Sequence, residues 1–216
     1  MKVAPSVIAA DFSKFQEEIK RAEEAGADLL HLDIMDGVFV PNITFGPMIV
    51  EAIDMITDME LDAHLMIVRP ENYLTRFIDA GADWISFHAE ASEKIDDCLK
   101  IIRERGKKVG LAISPPTPFT KVKQYLERLD FLLLMTVNPG FYGQEFISDV
   151  LRKIEEAKEW IMQHKVDCLI QVDGGINCAN APVVCEAGVD IVVAGASVFK
   201  SDDYRMAIEE LRCSKV

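Results

Sequence analysis

The sequence predicts a single-domain α/β fold, a (β/α)8 barrel, and three features carry that expectation. Short β-branched or leucine-rich runs alternate strictly with longer amphipathic segments through the whole chain, so each strand-to-strand connection must cross over and the strands must run parallel. No GxGxxG follows the first strand, where an open dinucleotide-binding sheet would carry it. The phrase "AGADLLHLD" from Ala25 returns as "AGADWISFH" from Ala80 and "AGVDIVVAG" from Ala187. Each copy reads as a helix end, a glycine cap, an acidic turn and a strand, the mark of a repeated β-α unit. An open doubly wound sheet is the competing architecture.

In chain order, strands are expected near 2–8 ("KVAPSVI"), 29–34 ("LLHLDI"), 60–66 ("ELDAHLM"), 84–88 ("WISFH"), 108–113 ("KVGLAI"), 131–137 ("FLLLMTV"), 168–172 ("CLIQV") and 190–194 ("DIVVA"). Helices are expected between and after them, near 13–25, 47–56, 71–80, 93–105, 119–128, 147–164, 178–187 and 203–212. No Gly/Ser/Pro-rich linker divides the chain, and "SPPTP" at 114–118 is a loop between the fifth strand and fifth helix. One domain over 1–216 follows, a common size for such barrels.

Half of the 216 residues are hydrophobic and mean hydropathy is +0.12, enough to bury a sizeable core. The formal charge of -13, with no basic run beyond pairs such as Lys107-Lys108, argues against nucleic acid as a partner. An anionic ligand would need local neutralisation by backbone N–H groups, a metal or one lysine, because the global field opposes it. No window supplies an uncharged membrane span, and the opening "MKVAPSVIAADF" is broken by Pro5, so a cytoplasmic protein is expected. Cys98, Cys168, Cys178, Cys185 and Cys213 form no CxxC pair and are expected to be reduced, buried or incidental thiols.

Barrel enzymes work at the carboxyl ends of their strands, and reactive residues collect there. His31 and Asp33 close the second strand, His64 the third, His88 the fourth and Asp173 the seventh. Two imidazoles and two carboxylates from three strand ends suit one divalent metal ion. His88 is expected to support this set rather than join it. Met35 and Met66 share the strand faces of Asp33 and His64, and Met135 lies close by; together they form a soft wall that excludes water without offering a competing proton. "VNPGFYGQEF", "DGGIN" and "AGASVF" follow the sixth, seventh and eighth strands. Glycine-rich loops there suit a phosphate held by backbone N–H groups.

Together the pieces "PSVIAADF", "HLDIMDGVFVPNITFGP", "LDAHLMI", "TVNPGFYGQEF", "VDGGIN" and "VVAGASVF" resemble the ribulose-phosphate 3-epimerase family, in the right order from Pro5 to Phe199. The resemblance implies an isomerase of the pentose phosphate pathway that interconverts D-ribulose 5-phosphate and D-xylulose 5-phosphate. It further implies one divalent ion (zinc, iron, manganese or cobalt) on His31, Asp33, His64 and Asp173, with Asp33 and Asp173 as the acid/base pair. By the same carry-over Ser6 and His64 contact the ketose phosphate, together with Asp173. Gly140, Phe141, Tyr142, Gly143, Gly174, Gly175, Gly195 and Ala196 line its phosphate end; apart from the resemblance, a homo-oligomer is expected. Three positions depart from the family pattern: Tyr142 replaces a common glycine, Ala196 a frequent serine, and Ser114 an asparagine often found before the proline of the "PxTP" loop.

Rival readings are a 3-epimerase of a ketohexose 6-phosphate such as allulose 6-phosphate, a phosphosugar aldolase or decarboxylase barrel, and a non-catalytic binding barrel. A Schiff-base aldolase needs a lysine at a strand's carboxyl end, whereas Lys107 and Lys108 precede the fifth strand. The segment "DGVFVPN" turns out of the second strand and is a candidate lid, with Gly37 permitting the turn and Pro41 stiffening it. Phe39 and Phe45 are candidate lid or interface residues.

Overall fold

A computed structural model describes residues 1–212; Cys213 lies outside the described residues. Eight parallel strands form the barrel: β1 (Lys2–Pro5), β2 (Leu30–Met35), β3 (Leu61–Met66), β4 (Trp84–His88), β5 (Lys108–Ile113), β6 (Phe131–Met135), β7 (Leu169–Asp173) and β8 (Ile191–Ala194). Neighbours pair in the order β1-β8-β7-β6-β5-β4-β3-β2. A parallel bridge from Ser6 to His31 joins the two ends of that series, so the barrel rather than the open sheet is the fold.

The helices are α1 (Phe15–Glu24), α2 (Pro47–Asp54), α3 (Leu74–Asp79), α4 (Ile95–Glu104), α5 (Val150–His164), α6 (Ala181–Glu186), α7 (Ala196–Phe199) and α8 (Tyr204–Leu211). Besides the first strand, which stops at Pro5 and gives way to a 3-10 turn at Val7–Ala9 where the sequence reading continues it to 8, two features differ from the sequence reading. Residues 119–128 wind as two 3-10 segments, Phe119–Lys121 and Lys123–Arg128, rather than as an α-helix. Their helical spacing is real, since Phe119, Val122 and Leu126 are buried; at about 2.0 Å per residue against about 1.5 Å, the tighter winding lets a short connection reach further. The other is α7, a single turn after β8 that the sequence reading leaves in the glycine loop. Among the described residues no helix is long and apolar enough to cross a membrane.

The recurring "AG-x-D" phrase acquires a mechanical role. Its glycines, Gly26, Gly81 and Gly188, all have positive φ, which lets the chain reverse from helix to strand. Its aspartates then reach sideways: Asp28 accepts from Val3 N, Asp83 from Leu61 N and Asp190 from Ile170 N. Asp130, outside the repeat, does the same for Val109 N. Each odd-numbered strand therefore starts against a carboxylate supplied from just before its even-numbered neighbour, which satisfies a backbone donor that the sheet leaves open.

Alternation along the strands separates two cores. Leu30, Leu32 and Ile34, with Leu61, Ala63 and Leu65, point outward against Ile19, Val50, Ile53, Leu74 and Phe77. The barrel interior is layered. Its base is apolar, built on Ala4, Leu29, Trp84, Phe131, Ile191 and Val193. One step up the strands come His31, Asp62, Ser86 and Gln171, all fully buried. Asp33, His64, His88 and Asp173 lie one step further, at the carboxyl ends.

Candidate active site and metal centre

Register brings the chemistry together. Asp33 pairs with His64 and His31 with Asp62 across β2 and β3, while β7 ends on Asp173. His31 Nδ1 lies 2.7 Å from Asp62 Oδ2, which also accepts from Gln171 Nε2 at 2.6 Å. With Nδ1 held by Asp62, Nε2 is the nitrogen aimed at Asp33 Oδ1, 3.5 Å away, and Asp173 Oδ2, 4.0 Å away. His64 Nδ1 faces the same two oxygens at 3.5 and 3.8 Å. One ligand atom from each of His31, Asp33, His64 and Asp173 lies within 4.8 Å of all the others.

These four residues fit a divalent cation. His31 Nε2 and His64 Nδ1 are fully buried and have no hydrogen-bond partner, a costly state for a polar atom unless something sits between it and the facing oxygens. Two imidazole nitrogens and two carboxylate oxygens are a donor set suited to a first-row divalent ion. The partner of His31 is the carboxylate Asp62, an arrangement that fixes a ligating ring's tautomer and orientation.

The electrostatics say the same. Burial, reinforced by the charge of Asp33, pushes the Asp173 carboxyl up to about 8. Asp33 is also buried, but His31 and His64 hold it far below the usual carboxylate range. Burial alone would lower His31; Asp62 and Asp33 outweigh it and raise the ring well above its ordinary value. His64, buried and beside two other imidazoles, falls to about 4 despite Asp33. Without a cation, the cluster thus retains protons on Asp173 and His31 to offset its carboxylates.

Above the cluster opens a cavity of about 220 Å³. Ser6, Asp33, Met35, Met66, Met135, Gly140, Phe141, Tyr142, Gly143, Asp173, Gly174, Gly175, Gly195 and Ala196 all line it, as the sequence reading expects. Ser6 donates a short hydrogen bond to Asp33 Oδ2. His64 belongs to the cluster but is fully buried beneath that wall. No described lining residue is cationic; Lys107 and Lys108 pair with Asp83 and Asp130 at the opposite end of the barrel. Gly175 (φ +68°) is required by close approach, since a Cβ there would stand 2.7 Å from Phe146 N and 2.8 Å from Gln144 O. It lets the loop after β7 press against the loop after β6.

The candidate lid is anchored at both ends. Asp36 accepts from Val38 N, Phe39 N and Val68 N, and Asn42 Nδ2 donates to Gly140 O at 2.8 Å. Phe39 packs on the His88 ring at 4.8 Å between centroids, while Phe45 lies 6.2 Å from Phe12. His88 stands outside the four-residue cluster, its Nε2 2.9 Å from His64 Nε2. Sequence reasoning missed Asp62, Gln171 and Glu90, the groups that hold the two histidines. Asp62 had a signal, two residues before His64 in "LDAHLM" and therefore on the same face.

The fold and site define a barrel enzyme equipped for divalent-metal chemistry, with a glycine-lined cavity that carries no lysine or arginine over its ligands. The model described as the Ribulose-phosphate 3 epimerase family matches residues 2–199, and the chain belongs to that family. It is 50% identical over 216 residues to the ribulose-phosphate 3-epimerase of Bacillus subtilis, covering 100% of both chains. To the same-named protein of Synechocystis it is 49% identical, covering 99% of this chain and 94% of that one; for Escherichia coli the figures are 40%, 97% and 94%. Among solved structures, 3-hexulose-6-phosphate synthase from Salmonella typhimurium shares the fold, with a TM-score of 0.72, 17% identity and 98% and 96% of the two chains covered.

Proposed function

We propose that this protein interconverts D-ribulose 5-phosphate and D-xylulose 5-phosphate by proton transfer at C3. The observation that carries the reading is the pair Asp33 and Asp173, brought from β2 and β7 to one cluster under one cavity. The C2 carbonyl acidifies the C3 proton by delocalising the resulting charge as an enediolate. Inversion then needs a base on one face of C3 and an acid on the other, in opposite protonation states. Asp33 and Asp173, which come from β2 and β7, supply the two carboxyl groups, one to take the proton and the other to return one. The reverse reaction exchanges their roles.

His31, Asp33, His64 and Asp173 would hold the divalent ion, whether zinc, iron, manganese or cobalt, which supplies Lewis-acid stabilisation of the charge on the enediolate oxygens. Met35, Met66 and Met135 keep water from the carbanion. Ser6 orients Asp33 and reaches the sugar, while His64, buried beneath the cavity wall, would serve as a metal ligand. Gly140, Phe141, Tyr142, Gly143, Gly174, Gly175, Gly195 and Ala196 receive the phosphate through backbone N–H groups, so an acidic chain needs no lysine there. Residues 1–216 act as one domain, in a cytoplasmic homo-oligomer. The ketohexose 6-phosphate alternative has less support, since the relatives above carry the ribulose-phosphate name.

The test is NMR of ribulose 5-phosphate with the zinc-loaded protein in D2O. Deuterium entering C3 together with xylulose 5-phosphate formation is the expected result. C–C cleavage, or no exchange, overturns the reading; faster turnover of allulose 6-phosphate reassigns the substrate.

A further inference from the structure

The two metal-facing histidines are held differently. His31 gives its Nδ1 proton directly to a carboxylate, Asp62. His64 has no carboxylate on its far side: its Nε2 meets another imidazole, His88 Nε2, at 2.9 Å. Two ring nitrogens can share only one proton, so one donates and the other accepts.

Which way that bond runs decides whether His64 can ligate. If His88 donates, His64 must accept with Nε2 and carry its proton on Nδ1, the atom that faces Asp33 and Asp173. If His64 donates, Nδ1 is a free lone pair. The second arrangement requires His88 to carry its proton on Nδ1, next to Glu90 Oε2 at 3.2 Å.

We infer that Glu90 is a positioning residue: through His88 it fixes the tautomer of His64 and so makes His64 a metal ligand. The inference rests on the metal reading above. Glu90 is well placed for the task. Its other oxygen, Oε1, accepts from Ser114 N at 2.9 Å and from the Thr117 hydroxyl. Those bonds hold the carboxylate in place, and the ammonium of Lys153 braces the same loop by donating to Ser114 O and Pro115 O. Burial opposes the charge of Glu90, but these donors and His88 bring its pKa down to about 2, so it presents acceptors only. Phe39 covers the fully buried His88 ring, while Glu90 itself stands exposed at the rim. Histidine-to-carboxylate support is a general feature of metal sites; here the carboxylate acts one imidazole further out.

Glu90→Gln reverses the polarity with little change of shape. Its amide oxygen must stay toward Ser114 N–H, because an NH2 there would face another donor; the NH2 then points at His88 Nδ1. That nitrogen becomes an acceptor, His88 donates from Nε2, and His64 is left protonated on Nδ1. Thr117→Val is the control, since it loosens the Glu90 clamp but keeps the acceptor facing His88.

Two measurements test the chain. Ring-nitrogen NMR of the full-length protein should show His88 protonated on Nδ1 and His64 on Nε2 in the wild type, and the opposite in Glu90→Gln. Titration with zinc alone should show affinity about 10- to 100-fold weaker in Glu90→Gln and within about twofold of wild type in Thr117→Val. A wild type that binds no zinc overturns the metal reading and this inference with it. A wild type that binds zinc, beside a Glu90→Gln variant within about threefold, overturns the inference alone. So does a wild type with His88 protonated on Nε2, even if the variant fails to fold.

Discussion

Asp173→Asn should make the metal-free protein more stable while it destroys turnover. A carboxyl whose folded pKa is raised binds more protons in the folded than in the unfolded state at intermediate pH. Stability therefore falls as pH rises from the ordinary carboxylate range, near 4, toward the folded value of about 8. At about 1.4 kcal/mol per pKa unit, a shift of this size costs the metal-free protein on the order of 2–4 kcal/mol at pH 7. The isosteric amide removes that cost, since it carries no charge to desolvate and none for Asp33 to repel. For a domain of this size the gain is roughly 5–15 °C in Tm at pH 7, shrinking to nothing near pH 4. Turnover should fall by at least a hundred- to ten-thousand-fold, the usual worth of one acid/base group, and zinc should raise the Tm of wild type far more than that of the variant. Thermal unfolding with EDTA or zinc, from pH 4 to 8, and C3 exchange in D2O supply the readouts. A metal-free variant less stable than wild type at pH 7 would refute the electrostatic account; near-normal exchange would remove Asp173 from proton transfer.

Two further outcomes follow from the same geometry. Because His31 and Asp173 both retain protons in the metal-free cluster and must lose them to ligate, zinc binding at pH 7 should release about one to two protons per ion. Calorimetry in buffers of different ionisation enthalpy measures this, and zero net release would contradict it. Gly175→Ala should cost stability and catalysis together. Its Cβ would enter a left-handed backbone conformation at roughly 1–2 kcal/mol and press on backbone atoms of Gln144 and Phe146 that cannot move as a side chain can. A Tm lowered by several degrees with kcat/KM down about tenfold or more is the expected pair of results; unchanged kcat/KM would separate this loop contact from substrate binding.

The barrel and its four-residue cluster were legible because both follow from one local rule, period-2 alternation on strands whose ends are marked by histidine or aspartate. His31, Asp33 and Met35 declare their face by interrupting Leu30, Leu32 and Ile34. Asp62 was legible by the same rule and was overlooked, since nothing local says that it meets His31. Gln171 reaches Asp62 across 109 residues, and Asn42 reaches Gly140 across 98; such pairs exist only once the strand register is set. Glu90 sits two residues beyond His88, but its orientation depends on Ser114 and Thr117 from the next loop. In the 119–128 segment, burial at i, i+3 and i+7 is the α-helical period, but the chain accommodates it with two short 3-10 segments that meet at Val122.

The layered interior explains how so acidic a chain tolerates carboxylates inside its barrel. Asp33, Asp62 and Asp173 all occupy the inner face within two strand steps of one another, a placement that mutual repulsion alone would forbid. Each is tied to an imidazole: Asp62 to the outer nitrogen of His31, Asp33 and Asp173 to the inner nitrogens of His31 and His64. The imidazoles thus stand between carboxylates, and a cation at their inner nitrogens would complete the alternation of charge. Outward from that point run two chains of hydrogen bonds, His31 to Asp62 to Gln171 toward the barrel centre, and His64 to His88 to Glu90 toward the rim. The first ends on Gln171 of β7 and the second on Glu90, held by Ser114 and Thr117 of the next loop, so the ligand geometry is inherited from the barrel. The same separation leaves the cavity above lined by neutral groups apart from Asp33 and Asp173, the two whose task is to exchange a proton with what enters.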